Sequence, residues 1–222
     1  MEVFKQQFIE FALAEQVLRF GDFTLKSGRS SPYFFNSGLF NNGASLSRLA
    51  DFYVAAVQCS GVGFDMLFGP AYKGIPLATA LAIAFARDHG RSLPCSYNRK
   101  EVKDHGEGGV IMGAPLSGRV LIVDDVITAG TSVNEAIGLI RNAGAQPAGV
   151  AIAVDRQERG RNGPSAAQEV EQVHGIRVIS IVTLDDLVAY LEQAGGFQSE
   201  LGAVRRYRAD YGICSRAQPA HV

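Results

Sequence analysis

The sequence has 222 residues, 47% of them hydrophobic and 19% charged, with a formal net charge of −1. This is enough apolar material to bury a full core and too little net charge to draw the chain to nucleic acid or an anionic membrane, so an anionic partner must be a small molecule held by local donors. Cys59, Cys95 and Cys214 are far apart and odd in number, which argues against a disulfide framework or a zinc site and points to a reducing cytoplasm.

Glu2, Lys5 and Glu10 interrupt the apolar N-terminus, and no uncharged run of about 18 residues occurs, so neither a signal peptide nor a membrane span is expected. Phe4, Phe8 and Phe11 recur at helical spacing and predict a short amphipathic helix. Residues 17–26 and 31–36 are β-rich runs split by the turn-forming Ser27-Gly28-Arg29-Ser30. A helical pattern follows over 46–60. From Phe64 the rhythm becomes that of parallel βαβ units. It gives a strand over 65–68, then a helix over 75–88 with Ala78, Leu81, Ala82 and Phe85 on one face, and a strand over 93–97. After a polar stretch over 99–113 comes an apolar strand over 119–124 of the kind covered on both faces. A helix over 131–143, closed by Gly144, leads to a strand over 148–154. The pattern loosens over 156–164 and recovers with a strand over 178–182 and a helix opened by Thr183-Leu184-Asp185-Asp186. The expected fold is α/β, a doubly wound, mostly parallel sheet over about 64–155 with a small hood from N-terminal and post-core segments. One domain is expected over 1–213, with a disordered tail over 214–222.

The strongest chemical signal is Val123-Asp124-Asp125-Val126-Ile127-Thr128-Ala129-Gly130-Thr131-Ser132. A strand ending in two carboxylates runs through a small-residue turn into a helix. Carboxylates accept the hydrogens of vicinal hydroxyls. The free N–H groups and positive end of the helix dipole favour a phosphate, and glycine lets the backbone approach it closely. The run therefore has the layout of a ribose-5-phosphate cradle at the edge where doubly wound folds bind ligands. No Walker-type loop occurs in the chain, which argues against ATP hydrolysis.

A second loop, Phe68-Gly69-Pro70-Ala71-Tyr72-Lys73-Gly74, also follows a strand and precedes a helix, so Lys73 brings a cation to the cradle's edge. A diphosphate fits between the two loops. The stretch 99–113 balances Arg99, Lys100 and Lys103 against three acids, so its length and glycines suggest a flexible lid. Thr24 to Gly28 and Tyr33 to Asn36 are placed to form a hood. Alternation turns Phe34 and Phe35 to opposite faces, so packing accounts for at least one of them. Arg156 follows the 148–154 strand and can meet a planar anion with paired hydrogen bonds.

The motif over 123–132 resembles the phosphoribosyl diphosphate (PRPP) site of the type I phosphoribosyltransferases, and the chain as far as about Gly212 resembles the bacterial orotate phosphoribosyltransferases among them. The resemblance implies transfer of ribose 5-phosphate from PRPP to N1 of orotate, with Lys103, His105, Lys73 and Asp125 as catalytic residues. It assigns Lys26, Tyr72, Lys73, Arg99, Lys100, Lys103, His105 and the run from Asp124 to Ser132 to PRPP. To orotate it assigns Lys26, Phe34, Phe35, Thr128 and Arg156. It also implies a cis peptide near Ala71-Tyr72, Mg²⁺ carried by PRPP with water-mediated reach to Asp124 and Asp125, and a homodimer with active sites shared between subunits. Two alternatives stay open here: a purine or uracil acceptor, and a non-catalytic PRPP sensor that binds nucleic acid. The lysine-rich lid and the charge of −1 argue against the sensor.

Overall fold

The computed structural model describes residues 1–25, 27–103, 109–128, 130–160 and 163–213. Helix α1 (Val3–Ala14) buries Phe8, Ile9 and Ala12. It packs beside an antiparallel hairpin of β1 (Leu18–Thr24) and β2 (Ser30–Phe35), which forms a sheet of its own. Helix α2 (Gly43–Ser60) starts at a capping box in which the Asn42 side chain accepts from the Ser45 N–H. It ends at Gly61 in the left-handed conformation.

The main sheet comprises β3 (Met66–Gly69), β4 (Cys95–Lys103), β5 (Gly109–Gly113), β6 (Arg119–Val123), β7 (Gln146–Asp155) and β8 (Arg177–Thr183). Its order is β5-β4-β3-β6-β7-β8, parallel throughout except for the antiparallel edge pair β4–β5. The apolar strands alternate between two cores. Leu67, Leu121, Val123, Ala151 and Ala153 face one cluster, together with α1, α2 and α3 (Gly74–His89). Met66, Phe68, Val120, Ile122, Val150 and Ile152 face the other, against α4 (Thr131–Asn142) and α5 (Ala166–His174). This two-sided burial is why these strands read as continuous apolar runs. Helices α6 (Leu184–Ala194) and α7 (Gln198–Tyr211) follow β8, and Tyr207 of α7 packs edge-on against Tyr33 of β2. No helix among the described residues is long and apolar enough to cross a membrane.

Two expectations change. The polar stretch 99–113, expected as a flexible lid, carries strand at both ends: residues 99–103 belong to β4 and residues 109–113 are β5, which pairs antiparallel with it at the sheet edge. Charged side chains made this stretch look like a loop, yet residues 99–103 run beyond the part of β4 that pairs with β3, Cys95 to Tyr97, and so escape burial in the sheet. Residues 104–108 and 214–222 lie outside the described residues. The second change is helical: α5 and α7 occupy segments for which no element is expected from the sequence. Helix α5 opens with a capping box formed by Ser165 and Gln168.

Candidate active site

The chain leaves β3 toward β4 on one side and returns as β6 on the other, so the sheet order reverses between β3 and β6. A crevice opens at such a switch point, outside the carboxyl ends of the strands. Both candidate loops lie there. Gly74 is required by close approach: a Cβ on it would come within 2.6 Å of the Val123 carbonyl oxygen, so any larger residue would push the 70–73 loop away from the end of β6.

Asp124 and Asp125 are 8% and 6% exposed, so they are buried carboxylates and not a surface pair. The backbone continues pairing with β7 through Asp124 N–H to the Ala151 carbonyl and Ala153 N–H to the Asp125 carbonyl. From the other face of the sheet, the buried Tyr53 hydroxyl donates to the Asp124 carbonyl at 2.7 Å. Asp124 Oδ1 accepts the Asp125 N–H, and Asp125 Oδ1 accepts the Val126 N–H, each at 2.9 Å. Lys73 Nζ reaches Asp125 Oδ2 at 2.7 Å across the crevice, and Ser37 donates its hydroxyl to the same oxygen. Burial, reinforced by the adjacent Asp125 charge, pushes the Asp124 carboxyl up to about 7.

Beyond the acids, Val126, Ile127, Thr128, Gly130, Thr131, Ser132 and Val133 line an open hollow of about 70 Å³ with Asp124. Gly130 caps α4 with φ +70°, a left-handed conformation that turns the chain into the helix. No side chain caps the first turn of α4, and Thr128, Thr131 and Ser132 are exposed there. The arrangement suits a phosphate seated on the helix N-terminus. Ala129 lies outside the described residues.

The Ala71-Tyr72 peptide is cis, as the resemblance implied. Asn98 of β4 accepts the Ala71 N–H at 2.9 Å. Lys100 lies over the Tyr72 ring at 5.0 Å, and Arg99 Nη1 is buried without a hydrogen-bond partner. Tyr72, Lys73 and Lys100 are thus gathered along one side of the crevice, while Arg99, next to Lys100 in β4, turns to the opposite face of the strand. The backbone of Lys103 closes the pairing with Gly109. Lys103's side chain, His105 and Lys26 lie outside what the structure describes.

On the hood, Phe34 stacks on Phe23 and Phe35 packs on Phe8 and Phe40, so protein contacts engage both rings. Arg156 leaves the end of β7 and turns its guanidinium over the Tyr33 ring at 4.2 Å. Its Nε bonds Glu158 at 2.6 Å, and its Nη2 bonds the Ser31 hydroxyl at 3.0 Å and the Tyr207 hydroxyl at 3.4 Å. Of the nitrogens that could make the expected paired hydrogen bonds, Nε and Nη2 are thus engaged by the protein. Burial works against the charge, but Tyr33, Glu158 and Tyr207 together outweigh it and raise the guanidinium's pKa.

Ser37, Tyr53, Asn98, Glu158 and Tyr207 escaped sequence analysis, because none belongs to a contiguous motif and all but Glu158, which also bonds Arg156 two residues before it, act only on partners distant in sequence. The spacing of Val204, Tyr207 and Tyr211 was the one available hint of α7.

A family model described as "Phosphoribosyl transferase domain" matches residues 39–172. The orotate phosphoribosyltransferase of Thioalkalivibrio sulfidiphilus is 61% identical over 213 residues, covering 96% of this chain and 100% of that protein. That of Chromobacterium violaceum is 60% identical over 96% of this chain and 99% of its own length. The crystal structure of orotate phosphoribosyltransferase from Francisella tularensis superposes with a TM-score of 0.85 at 42% identity, covering 93% of this chain and 99% of the other. With a crevice built from two acids, a facing lysine and an open helix N-terminus, the chain belongs to the orotate phosphoribosyltransferases of the phosphoribosyl transferase family.

Proposed function

We propose that the crevice transfers the 5-phosphoribosyl group of PRPP to N1 of orotate, giving orotidine 5′-monophosphate and pyrophosphate, in a cytoplasmic homodimer whose subunits share active sites. The observation that carries the reading is the Lys73–Asp125 contact across the switch point. It sets a cation for the departing diphosphate beside an acid for the ribose hydroxyls.

The 5-phosphate sits in the 128–132 hollow on the N-terminus of α4. Asp124 and Asp125 accept from the ribose hydroxyls, and Lys73 exchanges its bond to Asp125 for one to the diphosphate. Tyr72 and Lys100 line the same side. Lys103 and His105, reaching over from the partner subunit, assist the leaving group, and a positioned acid of this kind contributes about 10²–10⁴-fold. No enzyme nucleophile takes part. The anomeric carbon passes through an oxocarbenium-like state stabilised by the carboxylates and by the cations at the leaving group. Phe34 and Phe35 present backbone groups to orotate, with Lys26, Thr128 and Arg156 completing the pocket.

The donor set fits Mg²⁺ as a companion of PRPP. Two hard carboxylates stand at the ribose hydroxyls, next to the diphosphate's place, and no group of three or more acidic, histidine or cysteine ligands occurs among the described residues to cage an ion without substrate. Asp124 and Asp125 are the residues that would help hold Mg²⁺ beside PRPP, where it would supply charge neutralisation of the diphosphate. The acceptor is tested by titrating the protein in PRPP and Mg²⁺ with orotate, uracil and hypoxanthine in parallel. Turnover with orotate alone is expected; turnover with uracil or hypoxanthine in its place overturns the assignment.

A further inference from the structure

Arg156, just beyond the end of β7, is held by Glu158, Ser31, Tyr33 and Tyr207. Glu158 Oε1 accepts both from Arg156 Nε at 2.6 Å and from the Tyr207 hydroxyl at 2.7 Å. Its other oxygen takes Arg29 Nη1 at 3.4 Å. Tyr33 lies under the guanidinium, and Ser31 takes Nη2. Every nitrogen of Arg156 is thereby engaged except Nη1, for which no hydrogen bond is found among the described residues.

The loop that carries Glu158 is pinned as firmly. Gln157 has φ +49° and exchanges two hydrogen bonds with Asp185 at the start of α6, at 3.2 and 2.8 Å. Arg159 N–H donates to the Tyr211 carbonyl, and Ile213 N–H to the Gln157 carbonyl. Helix α7 therefore braces the loop from outside. A solvent-facing arginine chosen only for its charge needs none of this.

We propose that Glu158 and Tyr207 are positioning residues for the acceptor: they fix the Arg156 guanidinium over Tyr33 so that Nη1 alone is presented to an anionic, planar base. Two guanidiniums, Arg29 and Arg156, share the one Glu158 carboxylate, so this trio keeps a surplus positive charge for the acceptor's anion. The single free nitrogen favours one charge-assisted hydrogen bond at a fixed place over a two-bond fork. Long arginine side chains lose considerable rotamer freedom when ordered. Holding Arg156 in place before the acceptor arrives removes that cost from binding.

The inference rests on Arg156 being an acceptor ligand in the proposed function, and Arg156→Ala tests that premise separately. The Michaelis constants for orotate and PRPP are to be measured in Arg156→Ala, Glu158→Gln, Tyr207→Phe and the double variant Arg156→Ala/Glu158→Gln. A fall in the folded fraction lowers kcat and leaves both KM values where they were, so KM separates positioning from stability. Glu158→Gln is expected to raise the orotate KM about tenfold and Tyr207→Phe about threefold, with the PRPP KM unchanged. In the double variant the orotate KM is expected to match that of Arg156→Ala alone, since Glu158 acts through Arg156. If Arg156→Ala leaves the orotate KM unchanged, the premise fails. If it raises that KM while Glu158→Gln and Tyr207→Phe do not, or while the double variant is additive, the positioning role is overturned.

Discussion

Asp124 must be a carboxylate to serve a sugar and is buried where a carboxylate is costly. Folded, it keeps its proton up to about pH 7, because burial and the neighbouring Asp125 charge disfavour ionisation; unfolded, it titrates near the ordinary aspartate value of about 3.9. Below that value both states are protonated, and the side chain's contribution to stability is complete. As pH rises toward 7 the unfolded chain ionises first, so stability falls across that window and levels off above it. Asp124→Asn removes the effect. Without ligand, the variant is expected to be more stable than its parent by about 1–4 kcal/mol at pH 8 and nearly equal near pH 4. Urea unfolding at the two pH values measures this, and a difference independent of pH contradicts it. Turnover in the same variant is expected to drop by more than about tenfold, the usual exchange between stability and function at a strained site. Lys103→Ala belongs to the same scale: steady-state turnover well over tenfold lower, with the melting curve unchanged, is the expected result. Wild-type turnover removes Lys103 from the mechanism.

At the level of elements, helix α4 depends on Gly130 for its entry. A Cβ there meets nothing nearer than Asn134 Nδ2 at 3.5 Å, so space is not the constraint; the φ of +70° is. Gly130→Ala is expected to cost about 1–2 kcal/mol, or roughly 2–8 °C in melting temperature for a chain of this size. It should also raise the PRPP KM as the 128–132 turn shifts. A calorimetric scan with PRPP kinetics checks both. The elements that were legible in the sequence are those whose residues carry the whole signal. Strands β3, β6 and β7 are buried on both faces and so read as apolar runs, and the cradle from Asp124 to Ser132 is contiguous. The β4–β5 hairpin was hidden because its outer half, Arg99 to Lys103, is charged and runs beyond the pairing of β4 with β3. Helix α7 was hidden because only Val204 and Tyr207 are buried along it. Ser37 lies 88 residues from Asp125, and Glu158 lies 49 from Tyr207. Contacts of that span arise from the tertiary fold and leave no local pattern.

The whole molecule is where the sharing of active sites between subunits becomes testable. Asp125 belongs to the cradle and Lys103 to the edge hairpin, so a site shared across a dimer draws them from different chains. Lys103→Ala and Asp125→Asn homodimers are each expected to be nearly inactive. Unfolding them together and refolding them makes about half the dimers mixed, each with one intact site, and should restore about one quarter of the parental activity. If both residues serve the same chain's site, the mixture stays as inactive as its components. The two-sided sheet, the switch-point crevice and the hood converge on one reaction, and a single assay bears on it most directly. Orotate absorbance is followed on adding PRPP and Mg²⁺, with each component omitted in turn. A fall in orotate absorbance that requires PRPP, Mg²⁺ and protein together is the expected result. Unchanged absorbance in the complete mixture contradicts the account.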